Sequence, residues 1–224
     1  MTRKHRILRG LAPSLALAAT LALGEAAKSM KATGTVELDE RAGDAQPMST
    51  SDGDLPGLDV VHVKIASDGK RLAFTVTLKD PPGVFASSAL NAYLDTDVNP
   101  KTGVDYHGLP GFDYKVKLES CVDYADSVSA CEGGSKAKPK AHWAAIHVDR
   151  LKDSSAFGDT VVDSMGFGDA KASARTPVVG KVLAGGFDYA DIGLKSGQTI
   201  RVVLEENDDM GDVADFPEIL LTLK

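Results

Sequence analysis

The sequence predicts an all-β chain: a two-sheet antiparallel β-sandwich, jelly-roll or immunoglobulin-like, with short helical turns at most. Three observations carry this. Val61, Val63 and Ile65 alternate with other residues, and the pattern resumes at Leu72, Phe74, Val76 and Leu78 after the turn Ser67-Asp68-Gly69-Lys70, which is a hairpin signature. Phe112, Tyr114, Val116 and Leu118 point one way while Asp113, Lys115, Lys117 and Glu119 point the other, which predicts a half-buried strand with one wet face. No long window has helical periodicity, and many short apolar runs are separated by Gly, Pro and Asp.

The chain opens with Arg3, Lys4, Arg6 and Arg9 and an apolar run from about Leu11 to Leu23 that ends in small residues. This is the layout of a secretory signal, with cleavage expected after Ala26, so residues 1–26 read as a signal peptide. The run is shorter than the ~20 residues of a spanning helix, and no membrane insertion is expected after cleavage. Residues 27–56, rich in Lys, Gly, Asp, Ser and Thr, read as a flexible N-terminal leader or linker with one strand candidate, Gly34-Leu38. Residues 57–224 then form a single sandwich domain.

Export to a secreted or periplasmic location fits the cysteines. Cys121 and Cys131 are the only two, and an oxidising compartment would let them form a disulfide. The formal charge is −7, and it becomes −10 without residues 1–26, which carry four basic residues and Glu25. Such acidity argues against nucleic acid as a partner and favours cation binding.

Beyond the hairpin, Asp80-Pro81-Pro82-Gly83 breaks the sheet before the run Ala89-Leu94. That run delivers Asp95, Thr96, Asp97, Val98, Asn99, Pro100, Lys101, Thr102, Gly103, Val104 and Asp105. Oxygens on Asp95, Asp97, Asn99, Thr102 and Asp105 can surround a hard cation that takes 6–8 oxygen ligands, so a structural Ca²⁺ is the expected cofactor. Asp113, on the polar face of the next strand, joins them as a candidate ligand. The loop is not an EF-hand: counting Asp95 as position 1, position 6 is Pro100 where glycine belongs, and position 12 is Tyr106 where a bidentate Glu belongs.

Further strands are expected at His142-Val148, Lys181-Ala184, Thr199-Glu206 and Ile219-Leu223, with room for a short helical turn in Leu151-Asp163. A second acidic cluster, Glu205 to Asp212, reads as a solvated loop or a second ion site. The histidines His62, His107, His142 and His147 lack metalloprotease spacing and suit surface or rim positions. No Gly-x-Ser-x-Gly elbow occurs, and carboxylates this abundant single out no hydrolytic pair. A non-catalytic protein is therefore expected. Trp143, the only tryptophan, and Tyr106 are the candidate ligand-binding aromatics, although the size of Trp143 also suits a core position.

The hairpin Asp59-Leu78, the loop Leu94-Asp95-Thr96-Asp97 with Asn99-Pro100 and Thr102-Gly103, the following Gly111-Phe112-Asp113-Tyr114 and the late Ile192-Gly193-Leu194-Lys195-Ser196-Gly197-Gln198-Thr199-Ile200 together carry a resemblance. From Leu58 to Lys224 the chain resembles the family-9 carbohydrate-binding-module-like, or DOMON-like, β-sandwiches of exported bacterial proteins. The resemblance implies two antiparallel sheets, frequently a structural calcium, and binding of sugars in some members and haem or other ligands in others. The chain lacks the second tryptophan that would sandwich a sugar ring. The expectation is an exported, non-catalytic, calcium-stabilised sandwich binding carbohydrate or another extracellular ligand, such as a cell-surface protein. The other reading is a structural or interaction protein of the envelope or matrix with no small ligand.

Overall fold

The computed structural model describes residues 29–40, 42–43, 48–50, 53–55, 58–82, 85–106, 108–124, 129–130, 133–134, 139–152, 158–164, 170–206 and 216–224. The expected signal peptide, His107 and Cys131 lie outside the described residues. In chain order the main strands are β1 (Met30–Thr33), β2 (Thr35–Asp39), β3 (Val60–Ser67), β4 (Arg71–Leu78) and β5 (Phe85–Asp95). A small hairpin follows, β6 (Val104–Tyr106) and β7 (Leu109–Phe112), then β8 (Tyr114–Tyr124), β9 (Pro139–Leu151) and β10 (Gly158–Asp163). The chain continues through β11 (Val182–Asp188), a one-turn helix α1 (Tyr189–Ile192), β12 (Thr199–Glu206) and β13 (Ile219–Thr222).

The fold is an all-β sandwich of mainly antiparallel sheets. The larger sheet runs β1-β13-β12-β5-β8-β9-β10 and continues into Lys171–Ala172, while the smaller runs β11-β4-β3-β2. Their facing sides interdigitate in one core. Ile65, Phe74 and Val76 from the small sheet and Leu90, Leu118, Ile146, Val202 and Leu221 from the large one are all at most 1% exposed. The expected hairpin of β3 and β4 is present, in register from Ser67↔Leu72 to Val63↔Val76, and Asp68 caps its turn by accepting the Lys70 and Arg71 amides. No helix among the described residues is long and apolar enough to cross a membrane.

The expectation for the N-terminal region needs correction. Residues 27–56 are not simply a leader, because β1 pairs in parallel with β13 (Met30↔Ile219) and β2 pairs antiparallel with β3 (Val36↔Ile65). Val36 and Leu38, at 5% and 7% exposure, alternate with exposed Thr35, Glu37 and Asp39, so this short strand closes the core. Among the described residues the sheets therefore begin at Met30. Of Leu151-Asp163, where the sequence leaves room for a short helical turn, Leu151 ends β9 and Gly158–Asp163 form β10 paired to it, and residues 153–157 lie outside the described residues.

The polar face of β8 is also not wet. Lys115 and Glu119 are only 8% and 7% exposed. Strand β8 lies in the middle of the sheet, where its polar side chains meet equally polar ones on the neighbours. On that outer face Glu205 is paired with Asn91, Asn91 with Lys117, Lys117 with His147 and His147 with Asp163. Opposite charges meet at His147 with Asp163 and at Lys115 with Asp149, and the other pairs set polar groups side by side, which makes burial tolerable.

Candidate metal centre

The acidic loop is held where the large sheet and the small hairpin meet. Strand β5 ends at Asp95, whose rung partner on β12 is Arg201. Asp113 sits between β7 and β8, with its amide on Leu94 O at 2.8 Å and its carbonyl receiving the Leu151 amide at 2.8 Å. The loop can lie flat on the hairpin because of two glycines. A Cβ on Gly103 (φ 67°) would stand 2.5 Å from Phe112 O, and one on Gly111 (φ 95°) 2.9 Å from Asn99 O.

Three of the predicted ligands converge. Asp95, Asp97 and Asp113 each offer a carboxylate oxygen, all within 4.8 Å of one another. Asp95 is buried, at 1% exposure; Asp97 is exposed and Asp113 half-buried. Thr96 donates its amide (2.8 Å) and hydroxyl (2.6 Å) to Asp113 Oδ2, so the loop is tied to the next strand through that carboxylate. Asn99 donates its amide to Asp95 Oδ1 (3.3 Å) and Asp97 Oδ1 (3.1 Å).

The other predicted ligands do different work. Asn99 Oδ1 accepts the Lys101 amide at 3.1 Å, and the Thr102 hydroxyl donates to Asp97 Oδ1 (2.8 Å) and to Asn99 O (2.9 Å). Both residues shape the turn, as short polar side chains do. Asp105 is exposed on β6, outside the group of three. Val98 adopts φ 54°, a left-handed conformation unfavourable for a β-branched residue, at the tip of the same loop.

Arg201 completes the centre, and nothing in its sequence neighbourhood marks it. Its Nη2 is 3.1 Å from Asp95 Oδ2 and donates to Pro110 O, its Nη1 is 3.6 Å from Glu218 Oε2, and its guanidinium lies 4.7 Å from the Phe112 ring centre. Asp95 Oδ2 nevertheless receives no hydrogen bond, so its contact with Arg201 is one of charge alone. Burial first of all, aided by the nearby Asp97 carboxylate, raises the pKa of Asp95 above the usual carboxylate value, against the opposing pull of the Asn99 amide and Arg201. A buried carboxylate oxygen without a donor, beside two further carboxylates, is the environment a hard divalent cation relieves. The residues present fit such an ion.

No family model, curated protein or solved structure matches the chain.

The candidate aromatics do not form an exposed platform. Trp143 is 4% exposed, donates Nε1 to Asp123 Oδ1 at 3.1 Å and is covered by Arg175, whose guanidinium lies 4.1 Å from the ring centre. Tyr106 stacks on buried Tyr93 with centroids 4.1 Å apart, so the small hairpin packs on the sheet through it. Large rings contribute more to a sandwich when covered than when exposed. Cys121 is buried beside Trp143 and Ala145.

Glu205 is no part of a solvated loop. It is 3% exposed on β12, and its Oε2 accepts the Tyr93 hydroxyl at 2.9 Å. Asn207 to Asp212 lie outside the described residues. His147, read as a rim histidine, is clasped instead: Nε2 is 3.0 Å from Asp149 Oδ1 and Nδ1 is 3.5 Å from Asp163 Oδ1, with Thr160 Oγ1 2.8 Å from Asp149 Oδ1. The signal for this clasp was the period-2 spacing of His147 and Asp149; Asp163 required the pairing of β9 with β10.

Proposed function

We propose that the chain is an exported, non-catalytic β-sandwich stabilised by calcium at Asp95, Asp97 and Asp113, and that it binds carbohydrate or another extracellular ligand in a secreted or periplasmic setting. The observation that supports it best is the convergence of three carboxylates around an Asp95 that is 1% exposed and has one oxygen without a hydrogen bond. Bound there, calcium would supply charge neutralisation and join the loop to the start of β8. The resemblance to the family-9 carbohydrate-binding-module-like and DOMON-like sandwiches points the same way, and an oxidising compartment would let Cys121 and Cys131 form a disulfide.

Calorimetry of metal-stripped protein is the test. Added calcium is expected to bind with a stoichiometry near one and raise the melting temperature by several degrees, about 4 °C for each 1 kcal/mol. Asp97→Ala abolishes both effects. No uptake and an unchanged melting temperature would remove calcium from the proposal, and a blank glycan array with calcium-loaded protein would remove the sugar.

The second reading is a structural or interaction protein of the envelope or matrix without a small ligand. It is favoured by the cover that Arg175 gives Trp143, which closes that ring to a stacking sugar. A specific protein partner recovered from the producing cell's surface fraction, together with a blank glycan array, supports it.

A further inference from the structure

We infer that Arg201 sets the charge selectivity of the Asp95–Asp97–Asp113 centre, tuning it to divalent over trivalent cations; this rests on the metal reading above.

Three carboxylates alone present a charge of −3, which would suit a trivalent ion best. The guanidinium of Arg201 stands 3.1 Å from Asp95 Oδ2, so it shares the field of the same carboxylate that would hold the cation. It reduces the local charge to −2, the value a divalent ion neutralises. Unlike a surface lysine, it cannot swing away. Its side chain is only 11% exposed and is fixed on four sides, by Asp95, the Pro110 carbonyl, Glu218 and the face of Phe112. Its charge is also permanent, since a guanidinium does not lose its proton in a protein.

The geometry argues against a purely architectural role. An arginine recruited to hold Asp95 would use its forked donors on that carboxylate. Here Nη2 gives its hydrogen bond to Pro110 O, while Asp95 Oδ2, buried and facing the guanidinium, receives none. What Arg201 supplies to Asp95 is therefore chiefly the field of a charge 3.1 Å from Oδ2, with the fork of its donors not spent on that carboxylate. Glu218, 34% exposed, lies 3.6 Å from Nη1 and partly offsets the arginine from behind. The cation at the centre is thus repelled by Arg201 in proportion to its own charge.

Titration calorimetry with Ca²⁺ and Tb³⁺ at fixed ionic strength tests this on the full chain. Neutralising the arginine in Arg201→Gln is expected to raise the Tb³⁺-over-Ca²⁺ affinity ratio roughly tenfold to a hundredfold, from one unit charge acting at a few ångströms in a partly buried site. Arg201→Lys, which keeps the charge and loses the fork, leaves the ratio near that of the wild type. Glu218→Gln, at a more exposed position, removes the offset and lowers the ratio about twofold to threefold. Glu218→Gln decides the matter if Arg201→Gln does not fold.

A ratio in Arg201→Gln within twofold of wild type overturns the inference, as does an equal shift in Arg201→Lys, because shape and not charge would then be responsible. An unchanged ratio in Glu218→Gln alongside an unfolded Arg201→Gln overturns it as well. In all these cases calcium binding by the wild type leaves the metal centre itself standing. If the wild type binds neither ion, the metal reading falls first and the inference with it.

Discussion

At the scale of single residues the loop tip and the histidine clasp make opposite kinds of statement. Val98 sits at φ 54°, where its branched side chain meets its own backbone. Val98→Gly removes that strain, and although glycine adds freedom to the unfolded chain, a net gain of about 1 kcal/mol is expected in denaturant unfolding. His147 is biased toward its charged form: its hydrogen bond to Asp149 foremost, and the neighbouring Asp149, Glu119 and Asp163 charges, raise its pKa above 6.5 against the opposing effect of burial. Burial pushes the pKa of Asp149 up, but the hydrogen bond and charge of His147 outweigh it and leave the net value below 3.8.

A histidine raised in the folded state stabilises fully below its unfolded value of 6.5 and loses that contribution as pH rises through the folded one. An aspartate depressed in the folded state stabilises above 3.8 and loses its contribution as pH falls through the folded value. The clasp therefore contributes most between about pH 4 and 6.5. Wild-type stability is expected to decline more steeply than that of His147→Gln when denaturant midpoints are compared from pH 6 to pH 8. Parallel declines would show that the clasp is not coupled to folding.

At the scale of elements, the N-terminal strands are the informative case. The compositional bias toward Lys, Gly, Asp, Ser and Thr predicted a leader across residues 27–56, yet Val36 and Leu38 reach the core from a five-residue strand. Alternation was present in Gly34-Leu38, but a segment this short has the same pattern whether it pairs or not. The partner that decides it, β3, is provided only by the fold. Val36→Asp is expected to cost about 3 kcal/mol or more, since it places an unpaired charge in the core. A leader would tolerate the change with no measurable effect on urea unfolding. Likewise β1 lies against β13, so the first and last described strands of the chain close one edge of the large sheet together.

On the scale of the whole molecule, two sheets share one core, and Phe74 is at its centre, 1% exposed and stacked on Phe187 at 6.4 Å. Phe74→Ala is expected to cost about 3–5 kcal/mol. Because both sheets draw on that core, intrinsic fluorescence and far-UV circular dichroism should report a single coincident transition in wild type and variant alike. Separate transitions would mean that the small sheet and the large one unfold independently.

What the sequence determined by itself was the strand class, the β3–β4 hairpin and the acidic loop. These rest on local rules: period-2 alternation, an Asp-Gly turn, and oxygens crowded within a dozen residues. Even Asp113 was within reach, because it immediately precedes the strand that returns beside the loop. What only the tertiary structure decided was which side chains meet across strands: Arg201 beside Asp95, Asp163 beside His147, Glu205 beneath Tyr93, and Arg175 over Trp143. The wet face expected of β8 failed for the same reason, since whether a polar face reaches water depends on what the adjoining strands carry. Alternation specifies two faces of a strand, but the register of its neighbours determines whether a charge on either face meets solvent, a partner or an ion.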